Sequence, residues 1–172
     1  MKLIGPLAAI ALAGLATALA PAPAFAGTAE VDHLQTYVGS WSGKGELQGS
    51  QTGTVSCSMT FSPGNRDKFN YQGRCAVAGT TISVKGTIAY IEAKRRYEAA
   101  MTSNMAYSGF AIGKRHGDGL VFSIREREKD EEGRDMQVAA AISLRRDRIM
   151  VDFSVVFLGS GDTIEASIPF TK

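Results

Sequence analysis

From Trp41 to Phe170 the chain repeats one pattern ten times: apolar residues or glycine at every second position, then a short polar or glycine-bearing gap. Period two puts alternate residues on one face of an extended strand, so each run reads as a half-buried β-strand. The inward sets begin with Trp41, Gly43, Gly45, Leu47, then Val55, Cys57, Met59, Phe61, then Phe69 to Val77, then Ile82 to Tyr90. Tyr97, Ala99, Met101 follow, then Ala106, Ser108, Phe110, Ile112, then Leu120, Phe122, Ile124. Met136 to Leu144, Ile149 to Phe157 and Ile164 to Phe170 complete the series. Gaps this short join antiparallel neighbours. Ten such strands in sequence order close most simply into an all-β, up-and-down antiparallel barrel. The rival arrangement is a flattened two-sheet sandwich.

Agreement between facing strands tests the pattern, because a one-residue slip turns every side chain to the wrong face. Apolar sets meet when Leu47 stands opposite Val55, Phe61 opposite Tyr71, Val77 opposite Ile82, and Tyr90 opposite Tyr97. The later hairpins pair Ile112 with Leu120, Ile124 with Val138, Leu144 with Ile149, and Phe157 with Ile164. The Phe61–Tyr71 register also sets Cys57 opposite Cys75. Directly opposed residues lie about 4.5–5.5 Å apart at Cα, within the reach of a disulfide. These two cysteines are too far apart in sequence for a zinc or redox motif, so a cross-strand disulfide is expected.

Before the strands, "TAEVDHLQTY" (Thr28 to Tyr37) brings Val31, Leu34 and then Val38 onto one helix face, with Thr28 as the expected N-cap. Further upstream the chain reads as an address. Met1-Lys2 gives a positive start, Leu3 to Leu19 is apolar, and Ala24-Phe25-Ala26 is a small-x-small cleavage site. This is the pattern of a secretory signal peptide. Its apolar stretch falls short of the roughly 20 residues of a membrane span. The expectation is therefore a leader over 1–26 and one domain over 27–172, located in the periplasm or secreted. Removing the leader takes one lysine and no acid, so the formal charge of +2 becomes +1. A balance this near neutral lacks the basic excess of a nucleic-acid binder. No apolar run after the leader reads as a membrane segment.

Gly39-Ser40-Trp41, following a short helix, resembles the Gly-x-Trp opening of lipocalin-like, calycin-type barrels. The longer pattern Gly39-x-Trp41-x-Gly43-x-Gly45 is similar to nitrobindin-type ten-stranded barrels, and "GTIAYIEAKRRYEAAMTSNM" is similar to a mid-chain hairpin of small bacterial barrels of this class. The resemblance implies that Trp41 closes the barrel floor. Two features of those families are missing. Nitrobindin-type barrels ligate haem through a histidine near the C-terminus, and "TIEASIPFTK" has none. Many lipocalins place a C-terminal arginine over the tryptophan, whereas this chain ends on Lys172. The two histidines, His33 and His116, read as solvated helix and loop residues. No cofactor and no metal are expected.

No Ser-His-Asp set, phosphate-binding glycine loop or metal-spaced cluster stands out. "REREKDEEGRD" (Arg125 to Asp135) and "KRRY" (Lys94 to Tyr97) read as solvated turns. The expected function is non-enzymatic binding of an apolar or amphipathic small molecule. Trp41, Phe61, Tyr71, Tyr90, Phe110, Phe122 and Phe153 would line the pocket, with Ser108 the clearest inward hydroxyl. The inward glycines 43, 45, 73 and 86 serve either strand bending or cavity space, and the sequence leaves both open. The alternative is an envelope protein-interaction module with a filled core. Its partner, or a second copy, would meet an outer face carrying Tyr107, Ala111, Ala139, Ala141, Met150 and Val156. An enzyme working at the barrel mouth through tyrosines and Ser108 is the least supported reading, for want of a positioned acid, base or nucleophile.

Overall fold

The computed structural model describes residues 26–65, 67–77, 79–104, 108–130 and 132–172. A helix, α1 (Ala26–Gln35), precedes ten strands: β1 (Gly39–Gly49), β2 (Gly53–Pro63), β3 (Phe69–Val77), β4 (Thr80–Ile91), β5 (Arg96–Ser103), β6 (Ser108–His116), β7 (Gly119–Lys129), β8 (Asp135–Leu144), β9 (Ile149–Phe157) and β10 (Thr163–Thr171). Each strand pairs with its sequence neighbours, and β10 returns to β1, closing the barrel. Closure removes the two free edges that an open sheet would expose. The sandwich alternative is therefore set aside. The leader read over 1–26 lies outside the described residues, save for Ala26, which opens α1. Because α1 begins there, Thr28 falls inside the helix and not at its cap.

Three of the eight expected registers hold: Phe61 faces Tyr71, Tyr90 faces Tyr97, and Leu144 faces Ile149. Four others keep the correct face but slide by two residues. Val55 faces Gly45 and not Leu47, and Ile82 faces Cys75 and not Val77. Ile124 faces Ala140, and Ile164 faces Val155. Each slide preserves period two, so an alternation pattern cannot detect it.

The sixth strand overturns its expected face. Ala111 pairs with Ala99, and Gly113 pairs with both Tyr97 and Phe122. Gly109, Ala111 and Gly113 therefore point inward, while Phe110 and Ile112 point outward and are 46% and 38% exposed. Ser108 is also exposed on the outside. The cause is volume. A Cβ at Gly113 would collide with the Phe122 ring, so the large residues of this run cannot face in. Ala106 and Tyr107 lie outside the described residues.

The same pairing of aromatic and glycine recurs on the inner wall. Tyr71 lies across Gly86, where a Cβ would stand 2.5 Å from its hydroxyl oxygen. Phe170 lies across Gly43, where a Cβ would stand 2.9 Å from its Cγ and 2.6 Å from the Pro169 carbonyl oxygen. At these sites the glycines admit neighbouring rings and backbone, and they leave no open space beside them.

Candidate functional site

The barrel's two ends differ. Strand β1 starts and β10 ends beside α1, so the turns after β2, β4, β6 and β8 share that end. There the interior is filled: Trp41, Ile88, Tyr97, Phe122, Leu144 and Phe170 are all buried. Leu34 of α1 packs into the same core, with Val31 partly buried against it. Trp41 closes this floor as its motif implied. Its Nε1 donates to the Tyr37 carbonyl at 2.9 Å, and the Lys172 ammonium lies over its ring, 4.9 Å from the centroid. Lys172 thus supplies a cation over the tryptophan.

A polar latch fastens α1 to this floor. The Glu30 carboxylate accepts from the Tyr97 hydroxyl and, at 3.0 Å, from Arg115 Nε. Burial opposes ionisation of Glu30, but those two donors outweigh it and hold the carboxyl below its usual range. Burial and then the Glu30 hydrogen bond push the Tyr97 hydroxyl well above a normal phenol. The Tyr37 hydroxyl donates to the Leu144 carbonyl at 3.2 Å and sits 2.9 Å from His33 Nε2. Burial pushes Tyr37 up to about 12. Burial, reinforced by Arg115, pushes His33 down. His33 is therefore a half-buried latch residue, contrary to the solvated role expected of it, whereas His116 is exposed. The sequence reading missed Glu30, Tyr37 and Arg115. Glu30 stands one turn before Leu34 in the apolar stripe of the helix, and a lone carboxylate there was the available signal.

At the opposite end the lining changes. Val77, Ile82, Val84, Met101 and Val138 have inward parity yet keep partial exposure. Across from them Leu47, Val55, Cys57 and Val155 are buried. The Cys57–Cys75 disulfide bridges β2 and β3 in this half, with an S–S distance of 2.04 Å. Among the described residues no polar or charged side chain is buried.

The eight expected lining residues divide accordingly. Trp41, Phe61 and Phe122 are buried in the core. Tyr71, Tyr90 and Phe153 are inward and half-buried. Tyr71 reaches the Ala100 carbonyl at 3.4 Å, and Tyr90 packs edge-on against Tyr97 at 5.1 Å between centroids. Phe110 and Ser108 belong to the outer wall. Ala111 leaves the expected outer face for the core, and Ala139, Ala141, Met150 and Val156 remain outside.

Two shallow grooves mark the outer wall. One of about 540 Å³ runs over β7 to β10 and β1, with Ala139 and Ala141 between Arg125, Asp152 and Glu165. The other, about 520 Å³, lies beside Val121 and Met150 under His116, Arg145 and Arg148. Among the described residues no group of three or more His, Cys, Asp or Glu side chains is placed to hold a metal ion. No described helix is long and apolar enough to cross a membrane, which says nothing about strands.

A closed ten-stranded antiparallel barrel with a short N-terminal helix is an architecture consistent with calycin-type barrels generally. Rv2717c from M. tuberculosis has a similar fold, with a TM-score of 0.64 at 13% identity over 83% of this chain and 96% of that one. A de novo designed fluorescence-activating β-barrel aligns with a TM-score of 0.41 at 14% identity over 82% of this chain and 97% of that one, too weak to carry an argument. No family model and no curated protein matches the sequence.

Proposed function

We propose that this protein is an exported, non-enzymatic carrier that holds an apolar or amphipathic small molecule inside its barrel. One observation carries the reading: inward-facing apolar residues on the half away from α1 keep solvent exposure, as the walls of an open interior do. The packed floor and the latched helix support a pocket that opens at one end only. The Gly-x-Trp opening and its nitrobindin-type extension favour the same use. The leader pattern supports export to the periplasm or beyond, as does a disulfide, which persists in oxidising compartments. Without the C-terminal histidine of nitrobindin-type barrels, an organic ligand is favoured over haem.

The test is to express the full-length chain with its leader, purify the exported protein without detergent, and identify by mass spectrometry what organic solvent extracts from it. A stoichiometric lipid or pigment is expected. An empty protein that also fails to enhance the fluorescence of the uncharged dye N-phenylnaphthylamine would overturn the reading. Exposed Phe110 and Ile112 favour a second reading, in which the outer wall meets a protein partner or a second copy. An empty barrel that self-associates through those residues would support it.

A further inference from the structure

Among the described residues, the β6–β7 seam of the barrel wall pairs only at its floor end and does not resume toward the other end. Strands β6 and β7 are joined from Ile112–Ser123 to His116–Gly119, beside the floor. Both strands then continue toward the open end. β6 stays paired with β5 as far as Ser108, and β7 stays paired with β8 as far as Lys129. Between them, among the described residues, no ladder joins Ser108 to Ala111 with Ile124 to Arg127. An interruption in the β1–β10 ladder is different in kind. It spans Lys44 to Glu46 against Ser167 to Pro169, where Pro169 has no N–H to donate, and pairing resumes at Leu47–Ala166.

Gly109 has inward parity and no side chain, and Phe110 turns its ring outward into solvent. Ala111, at the foot of the unpaired stretch, is 1% exposed and stays packed in the core although no ladder joins it to β7. The β7 edge alternates Arg125, Glu126, Arg127 and Glu128, all of them without an ion pair among the described residues. Alternating charge on an edge strand discourages templating by another strand. Alternation puts Glu126 and Glu128 on the inward side, with Ile124, and Arg125 and Arg127 on the outward side, so the inner rim of the seam is acidic and disfavours an anionic ligand.

Resting on the carrier reading above, we propose that this seam is the side passage through which an uncharged apolar ligand enters and leaves the barrel. Lateral separation of β6 from β7 extends the open mouth down the wall toward the half-exposed lining at Met101 and Val138. The other seams are paired toward both ends of the barrel, β1–β10 resuming beyond its break at Leu47–Ala166, and β2–β3 carries the disulfide as well.

Clamping the seam tests this. Extending the β6–β7 register would place Gly109 opposite Glu126, so Gly109→Cys with Glu126→Cys bridges the separated stretch. Gln137→Cys with Val156→Cys bridges a seam that is already paired and serves as the control. The readout is the stopped-flow association and dissociation of N-phenylnaphthylamine, with the native disulfide intact in every protein. The seam clamp is expected to slow both rates about ten-fold or more while leaving affinity within about two-fold, because a passage sets rates and not equilibrium. The control clamp should change neither rate. Should the engineered bridge not form, Gly109→Phe places a ring in the same gap and the same slowing is expected. Unchanged rates in the clamped or plugged protein, or equal slowing by the control clamp, would overturn the passage and leave the carrier reading standing. A dye that binds no form of the protein would remove both.

Discussion

At the helix end Trp41, Tyr97, Phe122, Leu144 and Phe170 are buried and α1 is bonded across them; at the other end Val77, Ile82, Val84 and Met101 point inward and keep partial exposure. Both halves are built from the same alternating strands. The floor adds interlocking side chains: rings over glycines, a cation over Trp41, and carboxylate, phenol and guanidinium in contact. The opposite half buries Leu47, Val55, Cys57 and Val155 and carries the disulfide. Side-chain packing is thus tighter at the helix end, and part of the inward wall at the opposite end keeps exposure.

The largest test of this contrast is Trp41→Ala, which should cost about 3–5 kcal/mol in urea denaturation, as removal of a buried ring does. Val84→Ala in the half-exposed lining should cost far less. Similar losses at the two sites would abolish the distinction. Next comes the paired replacement of Cys57 and Cys75 by alanine, with an expected loss of about 2–4 kcal/mol. Free thiols in the oxidised protein would contradict the bridge.

A smaller effect is expected at the glycines. Gly43→Ala forces a methyl against the Pro169 carbonyl and the Phe170 ring, at an expected cost of about 1–3 kcal/mol by thermal melting. An unchanged melting temperature would mean that this side of the wall is looser than its geometry indicates. Phe110→Ser is expected to stay within about 0.5 kcal/mol, because the ring stands outside the barrel. A loss of several kcal/mol there would restore the inward face expected from the sequence.

The latch gives the contrast a pH signature. Glu30 and His33 titrate lower in the folded chain than unfolded, so their contribution is present above their ordinary values and is lost as pH falls through the folded ones. Tyr37 titrates higher, so its contribution is complete below 10.0 and is lost as pH rises toward about 12. Glu30→Gln should flatten the acid limb of melting temperature against pH. An acid limb identical to that of the unaltered protein would show that Glu30 is not the group that holds the helix.

Much of the architecture was legible along the chain, and its errors have a common origin. Alternation placed Trp41, Phe122 and Phe153 on inner faces, and the Phe61–Tyr71 register set Cys57 against Cys75. It assigned Phe110 inward because a strand read alone turns its larger apolar residues to the core. The neighbouring rings of Tyr97 and Phe122 already occupy the space beside Gly113, and only the assembled wall reveals that. Glu30 was passed over because its partners, Tyr97 and Arg115, come from strands distant in sequence.

The sequence by itself determined the strand count, the meander order, the leading helix and the disulfide, because each depends on local period or on a hairpin that pairs neighbours. The tertiary structure decided the two-residue slides, the face of β6, the latch and the parted β6–β7 seam. Those depend on volume and hydrogen-bond partners meeting across the barrel, which no single strand specifies.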